Sequence, residues 1–432
     1  MKNGTMISKD NSKNEINFGI GFVTGRANVC NVINSYYKHT LKQFENYEKK
    51  VNITFYILYD LSYQYTKRTD FYSIIPDLYR QNINVRYITP EEIESEKSNV
   101  TQKYGLNKDE ADLFLGHGHA KGRNTVMYYA LKEKMDYLLF WDDDEYPVAC
   151  MRTPDGKLTW KLQNNCIDHI KYLEKENADI TRAYHCGYIS PIPYIESTDE
   201  VKDDDIKDFI EAISNEAVTW ENIKELFQKY DGVTYAEKEI ADGKGAFEIK
   251  KEDGGSKWVA GSTLCLNLNH IEKIPAFYNP PEARGEDTFF SVLLDDSKVY
   301  RIPLYHFHDG FLQCTSIMKD NFPRKLKKVE ADGTAVERRF LKASIGWIKY
   351  KPLLMYIQDK KNYDEKIKKV INLLTRSVKK INKLFDYSDF SQLVDIIKEY
   401  DENVEEHFIE FEETNKIWNI LKEKIKEENS NE

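Results

Sequence analysis

The chain has 432 residues, of which 41% are hydrophobic and 31% charged, and its formal net charge at pH 7 is −10. This length is sufficient for one large or two ordinary domains with a full core, and the 29 tyrosines and 21 phenylalanines argue against a disordered chain. The negative charge argues against a nucleic-acid-binding protein, because the affinity of such proteins rests on neutralising phosphates.

The N-terminus and the cysteines bear on where the protein works. Residues 1–15 are polar and predict a flexible N-terminus with no signal peptide. No stretch of the sequence approaches the ~18 apolar residues needed to span a bilayer. The six cysteines are scattered without a CxxC pair, so neither a zinc site nor a disulfide framework is indicated. We therefore expect reduced thiols and a cytoplasmic location.

Strands and helices alternate from residue 16 onwards. Apolar runs at 16–26, 52–62 and 84–90 predict strands, and apolar residues at helical spacing over 28–44 predict a helix. Between 108 and 134 a glycine-broken turn, "GHGHAKGRN", precedes the helical run "TVMYYALKEK", and the strand "MDYLLFW" follows. The alternation predicts an α/β fold with a mostly parallel sheet flanked by helices.

The second half of the chain is less regular. Residues 196–257 are helical and acidic and end in a glycine-rich loop, which predicts an insertion or a flap. Ordered sequence resumes near 258, so we expect one α/β domain over 16–335. Beyond it, residues 336–432 are charged, with apolar positions every three or four residues, and predict a helical accessory region. Two roles stay open for that region: contact with an acceptor, or self-association into a homo-oligomer.

The stretch "DYLLFWDDDEYP" (136–147) places four consecutive acids directly after an apolar strand. Ligands of parallel sheets bind outside the carboxyl ends of the strands. Two carboxylates in D-x-D spacing, Asp142 and Asp144, can bind a hard divalent cation such as Mn²⁺ or Mg²⁺ that carries a phosphate. The alternative is a solvated acidic turn. The strand with Trp141 immediately before the acids favours the cation site.

The order of the motifs resembles the GT-A nucleotide-sugar-dependent glycosyltransferases, and family-2-like members most of all. "YILYDLS" ends the second strand with an acid, "GHGHAKGRNTVMYYAL" opens the helix before the D-x-D strand, and "VAGSTLCLNLNHI" and "ARGEDTFFSVLL" follow that strand. The resemblance covers about residues 16–315 and rests on the ordered combination. It implies a GT-A fold and metal-dependent, inverting transfer of a sugar from a UDP- or GDP-sugar to a hydroxyl acceptor, which could be a glycan, a protein or a small molecule.

The resemblance also implies roles for particular residues. The aspartate of the "ED" pair acts as general base, which assigns Asp287, beside Glu286, to catalysis. Acids at the start of a helix also favour the helix dipole, so a structural role is the alternative. The nucleotide-sugar pocket implied is Thr24, Arg26, Asp60, Lys121, Arg123, Asp142, Asp143, Gly261 and Ser262.

The implied metal ligands are Asp142, Asp144 and a histidine from "YRIPLYHFHDGF". His306 and His308 are both candidates, and we prefer His306 because it follows the apolar strand directly. A buried, structural histidine pair is the alternative. His117 and His119 lie in the glycine-rich "GHGH" turn, where polar loop residues are more common than metal ligands.

Two other functions remain to be separated from a glycosyltransferase. A sugar-nucleotidyltransferase on a similar fold would carry a glycine-rich basic loop after the first strand, and "FVTGRANV" is too short and glycine-poor for that loop. A non-catalytic nucleotide-sugar-binding protein is the second alternative. The intact D-x-D, G-E-D and H-x-H motifs argue against it.

Overall fold

A computed structural model describes the molecule over most of its length. Of the predicted flexible N-terminus, only Glu15 lies within the described residues. The glycine-rich end of the predicted insertion is described except for residues 252–255. The described ranges are 15–61, 66–72, 83–188, 191–214, 219–251, 256–330 and 334–431.

The strands of the described residues form one large sheet and a small hairpin. They are β1 Glu15–Thr24, β2 Lys50–Tyr59, β3 Ile83–Ile88, β4 Tyr137–Phe140, β5 Glu145–Tyr146, β6 Val148–Arg152, β7 Leu158–Leu162, β8 Ile180–Tyr188, β9 Phe247–Glu248, β10 Leu264–Asn267 and β11 Val299–Asp309. The nine-stranded sheet has the order β3-β2-β1-β4-β10-β8-β11-β5, with β9 also paired to β11, and β6 pairs only with β7.

The direction of the strands confirms a mostly parallel sheet. Strands β1, β2, β3, β4, β8 and β11 run one way, whereas the short strands β5, β9 and β10 run the other way. The carboxyl ends of β1, β2, β4, β8 and β11 therefore lie at one edge of the sheet. The acids at 142–145 follow β4 at that edge.

Helices cover both faces of this sheet. They are α1 Asn28–Gln43, α2 Pro90–Tyr104, α3 Lys108–Phe114, α4 His119–Lys132, α5 Ile167–Glu176, α6 Asp203–Ile213, α7 Trp220–Tyr230, α8 Lys238–Ala241, α9 Glu286–Val292, α10 Thr334–Gln358, α11 Tyr363–Phe385, α12 Gln392–Glu402 and α13 Val404–Asn431. Helices α1 and α5 lie on one face of the sheet, and α2–α4 and α13 lie on the other. None of the described helices has both the length and the apolar character that a bilayer crossing requires.

Helix α4 packs unusually close to β1 because glycines face the contact. A Cβ at Gly21 would lie 2.8 Å from Val126 Cγ1, and one at Gly122 would lie 2.5 Å from Val23 Cγ1. Real Cβ atoms almost never approach so closely, so a side chain at either position would push the helix outward. The first turn of α4, which carries Arg123, is thereby held against the strand end.

The predicted insertion and the C-terminal region share one hydrophobic core. Phe209 of α6 lies with Phe340 of α10 and Phe390 beside α12, and their ring centroids are 5.6–6.1 Å apart. Helix α13 then returns to the sheet, where Trp418 stacks on Phe114 at 5.3 Å. The C-terminal region is helical, as predicted, but it packs on the α/β domain and on the insertion, so it is a structural part of both.

Candidate functional site

The four acids after β4 are held in a tight, largely buried turn. Trp141 stacks on Phe22 of β1 with ring centroids 5.9 Å apart, and its indole N–H donates to the Glu145 carbonyl at 3.2 Å. Asp143, Asp144 and Glu145 are 8%, 6% and 1% exposed. Buried carboxylates require compensating charge or hydrogen bonds, so the turn is not a solvated acidic loop.

Residues that follow β1 compensate two of these acids. Arg26 Nη1 lies 3.0 Å from Asp143 Oδ1 and 2.8 Å from Asp144 Oδ2. The Thr24 hydroxyl donates to Asp143, and Asn28 Nδ2 donates to the Asp143 carbonyl at 2.8 Å. Burial nevertheless raises the pKa of Asp143 to about 7, against the opposing charge of Arg26. The end of β1 is thus built around the acid turn.

Asp144 and Glu145 contact histidines of strands β8 and β11. His308 Nε2 lies 3.6 Å from Asp144 Oδ1, and His306 Nδ1 lies 3.3 Å from Glu145 Oε2. Glu145 Oε1 accepts from His185 Nε2 at 2.8 Å. Burial opposes ionisation of both acids, but His308 with Arg26 lowers the pKa of Asp144, and His185 with His306 holds that of Glu145 well below its usual range.

The two histidines of β11 differ in position despite their two-residue spacing. His308 lines the cavity described below, whereas His306 is fully buried behind it and packs edge-on against Trp141 at 5.3 Å. His308 is therefore better placed than the preferred His306 to share an ion with Asp144. Both side chains lie on the same face of β11, and His306 is two residues further than His308 from the carboxyl end of the strand, where the cavity lies.

His185 is a site residue that the sequence analysis missed. It lies in β8, which pairs in parallel with β11 so that His185 is opposite His306. The Ser262 hydroxyl donates to Glu145 Oε1 at 2.5 Å and lies 3.3 Å from His185 Nε2. A single histidine in a strand carries no motif, and only the pairing of β8 with β11 could have pointed to it.

Arg123 lies beneath the acid turn and holds Asp142 and Glu286 in place. Its Nη2 is 3.2 Å from Asp142 Oδ1, its Nε is 3.2 Å from Glu286 Oε1, and its guanidinium lies 5.0 Å from the centre of the Phe140 ring. Its side chain is only 6% exposed. The predicted role of Arg123 as a direct phosphate contact therefore fits less well than a positioning role for Asp142 and Glu286.

Lys121, the second predicted cation, is also engaged within the protein. Its ammonium donates to the Asp112 carbonyl at 2.7 Å, and burial lowers its pKa. The side chain still lines the cavity, as does Asp60, whose backbone N–H donates to the Thr24 carbonyl at 2.9 Å. The carboxyl ends of β1 and β2 are therefore adjacent at the site, as the predicted pocket requires.

The "GED" motif forms a turn that starts α9. Gly285 has φ +91°, a left-handed conformation that favours glycine, and a Cβ there would lie 2.7 Å from the Tyr350 ring. Asp287 Oδ2 accepts from the Gly261 backbone N–H at 3.0 Å, and Oδ1 accepts from that of Thr288 at 2.9 Å. Asp287 thus ties the start of α9 to the loop before β10, which includes Gly261 and Ser262.

Most of the groups described above line one cavity of about 1090 Å³. Its walls include α7 of the predicted insertion and α10 of the C-terminal region, so both complete the site. Of the predicted site residues, His306 alone does not line it. The predicted residues that do are Thr24, Arg26, Asp60, Lys121, Arg123, Asp142, Asp143, Asp144, Gly261, Ser262, Glu286, Asp287 and His308, and His117, His119 and His185 accompany them.

The donor set fits a divalent cation that is also bound by phosphate. Within the described ranges, no three side chains of His, Cys, Asp or Glu stand together as a complete metal site. Asp144 and His308 are close enough to share one ion, and Asp142 is 38% exposed beside them. Mg²⁺ and Mn²⁺ commonly take one or two carboxylates and complete their shell with phosphate and water.

All six cysteines are buried free thiols, as expected.

Comparisons with known proteins add no relative from which function could be carried over. No protein-family model matches the chain. No curated protein matches it either. The fold and the geometry of the cavity are therefore the grounds on which a function for this chain can be argued.

Proposed function

We propose that this chain is a metal-dependent glycosyltransferase of the GT-A type, which transfers a sugar from a UDP- or GDP-sugar to a hydroxyl acceptor with inversion. One observation carries the proposal. The acid turn after β4, the ends of β1 and β2 and the "GED" turn are far apart in sequence, yet they line the same cavity. The volume of the cavity, about 1090 Å³, lies just above the range typical of small-molecule sites, roughly 300–1,000 Å³, which suits a nucleotide sugar together with an acceptor.

The donor side of the cavity would be formed by the ends of β1, β2 and β4. Asp60 and Asp142 offer carboxylates to the nucleoside, since carboxylates accept hydrogen bonds from ribose hydroxyls and base N–H groups. Arg26 pairs with Asp143 and Asp144 and retains 18% exposure of its side chain. A guanidinium binds phosphate as readily as carboxylate, so Arg26 is suited to bind the diphosphate once the donor enters.

Asp144 and His308 would hold the divalent cation. The ion would supply positive charge to the departing nucleoside diphosphate. The protein contributes the geometry, because Arg26 and His308 keep Asp144 ionised inside the fold and Arg123 fixes the neighbouring Asp142. A preorganised acid needs no rearrangement when the donor binds.

Asp287 would act as the base that accepts the proton of the acceptor hydroxyl. Its carboxylate lines the cavity, and each of its two oxygens accepts one backbone hydrogen bond. These two hydrogen bonds fix the orientation of the carboxylate in the wall of the cavity. The loop at Gly261 and Ser262 would border the donor sugar, where small residues leave room.

Two alternatives are less well supported. A sugar-nucleotidyltransferase would bind triphosphate with a long glycine-rich loop after the first strand. Here only residues 25–27 separate β1 from α1, and a single glycine lies among them. A non-catalytic binding protein would not require the Asp287 carboxylate beside the acid turn.

Incubation of the purified chain with labelled UDP- and GDP-sugars and Mn²⁺ tests the proposal. We expect slow, metal-dependent release of nucleoside diphosphate in the absence of acceptor. Asp144→Asn should abolish it, and Asp155→Asn, which removes an exposed carboxylate from the β6–β7 turn, should not. Formation of pyrophosphate-dependent products would instead indicate a nucleotidyltransferase. Tight nucleotide-sugar binding without turnover would indicate a binding protein.

A further inference from the structure

We infer that the part of the cavity lined by α10 and by the loop before α9 binds an anionic group of the acceptor, a phosphate or a carboxylate on the hydroxyl compound. Its role as an acceptor site rests on the proposed transferase function. The binding of an anion at Arg284 does not depend on that function.

Arg284 is seated on α10 by a glycine. A Cβ at Gly346 would lie 2.8 Å from both Cγ and Cδ of Arg284, so the stem of the arginine occupies the space that a side chain would fill. A glycine inside a long helix is less stable than an alanine, so its presence here suits the close contact with Arg284. The Arg284 backbone N–H donates to the Gly346 carbonyl at 3.4 Å. Arg284 lines the cavity and is half-buried.

Two carboxylates that line the same cavity, those of Glu282 and Glu410, have other partners. Glu282 lies 2.7 Å from Lys349 Nζ, and Glu410 accepts from the Tyr278 hydroxyl at 2.8 Å. In the described part of the chain, no carboxylate lies within 4 Å of the Arg284 guanidinium. A partly buried guanidinium without an anion is an uncommon arrangement, and it favours a ligand that brings the missing negative charge.

Other positive charge surrounds the same position. Lys342 lies one helical turn before Gly346 and lines the cavity. Burial lowers the pKa of His119, the charge of Glu286 opposes this, and the charges of Arg284 and Lys342 add to it. His119 is the first residue of α4, so the positive end of that 14-residue helix points to the same region. An anion bound here would interact with the Arg284 guanidinium close to the positive end of α4.

The position of Arg284 indicates the acceptor and not the donor. The proposed diphosphate contacts lie at the acid turn, whereas Arg284 directly precedes Gly285 and lies three residues before Asp287. An anion on Arg284 would therefore hold a hydroxyl compound beside the proposed base. This argues for a charged acceptor, such as a sugar phosphate or a carboxylated sugar, over a neutral one.

Calorimetric titration of the full chain with inorganic phosphate, and separately with acetate, tests the site. Each titration is made with free protein and with protein saturated by UDP or GDP plus Mg²⁺. Arg284→Gln removes the central charge. Arg338→Gln, on the same helix but outside the cavity lining, removes the same charge from an exposed position and serves as the control.

We expect one of the two anions to bind in both states, and the preferred anion distinguishes a phosphate from a carboxylate. Arg284→Gln should weaken that binding at least tenfold and leave the nucleotide affinity unchanged, and Arg338→Gln should change neither. The inference is overturned if neither anion binds, if both variants weaken binding equally, or if saturating nucleotide displaces the anion. Anion binding in a protein that binds no nucleotide would support the anion site and refute the transferase proposal.

Discussion

Two buried residues, Arg123 and Glu145, show how four adjacent acids can be part of a folded protein. Arg123 neutralises Asp142 from below, and Glu145 binds His185 and Ser262 within the lining of the cavity. Ion pairs of this kind are costly to break, because removal of one partner leaves an unpaired buried charge. The acid turn therefore needs partners from the end of β1, from α4, β8 and β11 and from the loop before β10, and these residues are parts of the site even where they touch no ligand.

Asp287 carries the first prediction. Asp287→Asn retains the shape of the side chain and one acceptor oxygen but removes its basicity, so we expect the transfer rate to fall by ~10²–10⁴-fold. The affinity for nucleotide and metal, measured by calorimetry, should stay within a few-fold, since the proposed donor contacts lie at the acid turn. Loss of nucleotide binding together with a large fall in melting temperature would show that Asp287 is a structural cap of α9.

At the scale of elements, the turn before α9 depends on a glycine that meets the C-terminal region. Gly285 combines φ +91° with a close approach to Tyr350, whereas Gly243 has φ +89° in open space. Gly285→Ala should destabilise the fold by clearly more than the roughly 1–2 kcal/mol expected for left-handed backbone alone, and Gly243→Ala by about that amount. Denaturant unfolding of both variants measures the difference. Equal losses would mean that the contact with α10 contributes nothing.

The alternation of strands and helices could be predicted from sequence because the apolar periods of the two elements differ. Runs such as "YILY" and "DYLLFW" match β2 and β4, and the helical spacing over 28–44 matches α1. The strand predicted over 84–90 ends at Ile88, and Pro90 begins α2, with Thr89 as its capping residue. The partners of the acid turn could not be predicted in this way, since the contact of Glu145 with His185 depends on which strands are neighbours.

At the scale of the whole molecule, the charged C-terminal helices pack on regions of different composition, namely the predicted insertion and the α/β domain. The charged helices after residue 334 have apolar faces, and a periodic pattern shows that such a face is buried but not against what. In the fold these faces cover α6, α7 and the helices over the sheet, and α10 completes the cavity. Sequence alone could therefore predict a helical region but not its place in the site.

Trp418 tests whether α13 is integral to the α/β domain. Its ring is fully buried against Phe114, and its N–H donates to the Ile274 carbonyl at 2.9 Å. Trp418→Ala should cost about 3–5 kcal/mol and lower the temperature of a single cooperative transition. Ile420→Ala, a neighbour that is 39% exposed, should cost far less. A Trp418→Ala protein with an unchanged main transition would show that α13 is an independent appendage.

The central claim is that the acids after β4 bind a nucleoside diphosphate through a divalent cation. Calorimetric titration of the wild-type chain with UDP and with GDP, with and without Mn²⁺, tests it most directly, with Asp144→Asn and Asp155→Asn as a matched pair of carboxylate changes. The account predicts that one nucleotide binds, that Mn²⁺ strengthens its binding at least tenfold, and that only Asp144→Asn abolishes this gain. Binding that is independent of Mn²⁺, or a gain that survives in Asp144→Asn, would contradict it.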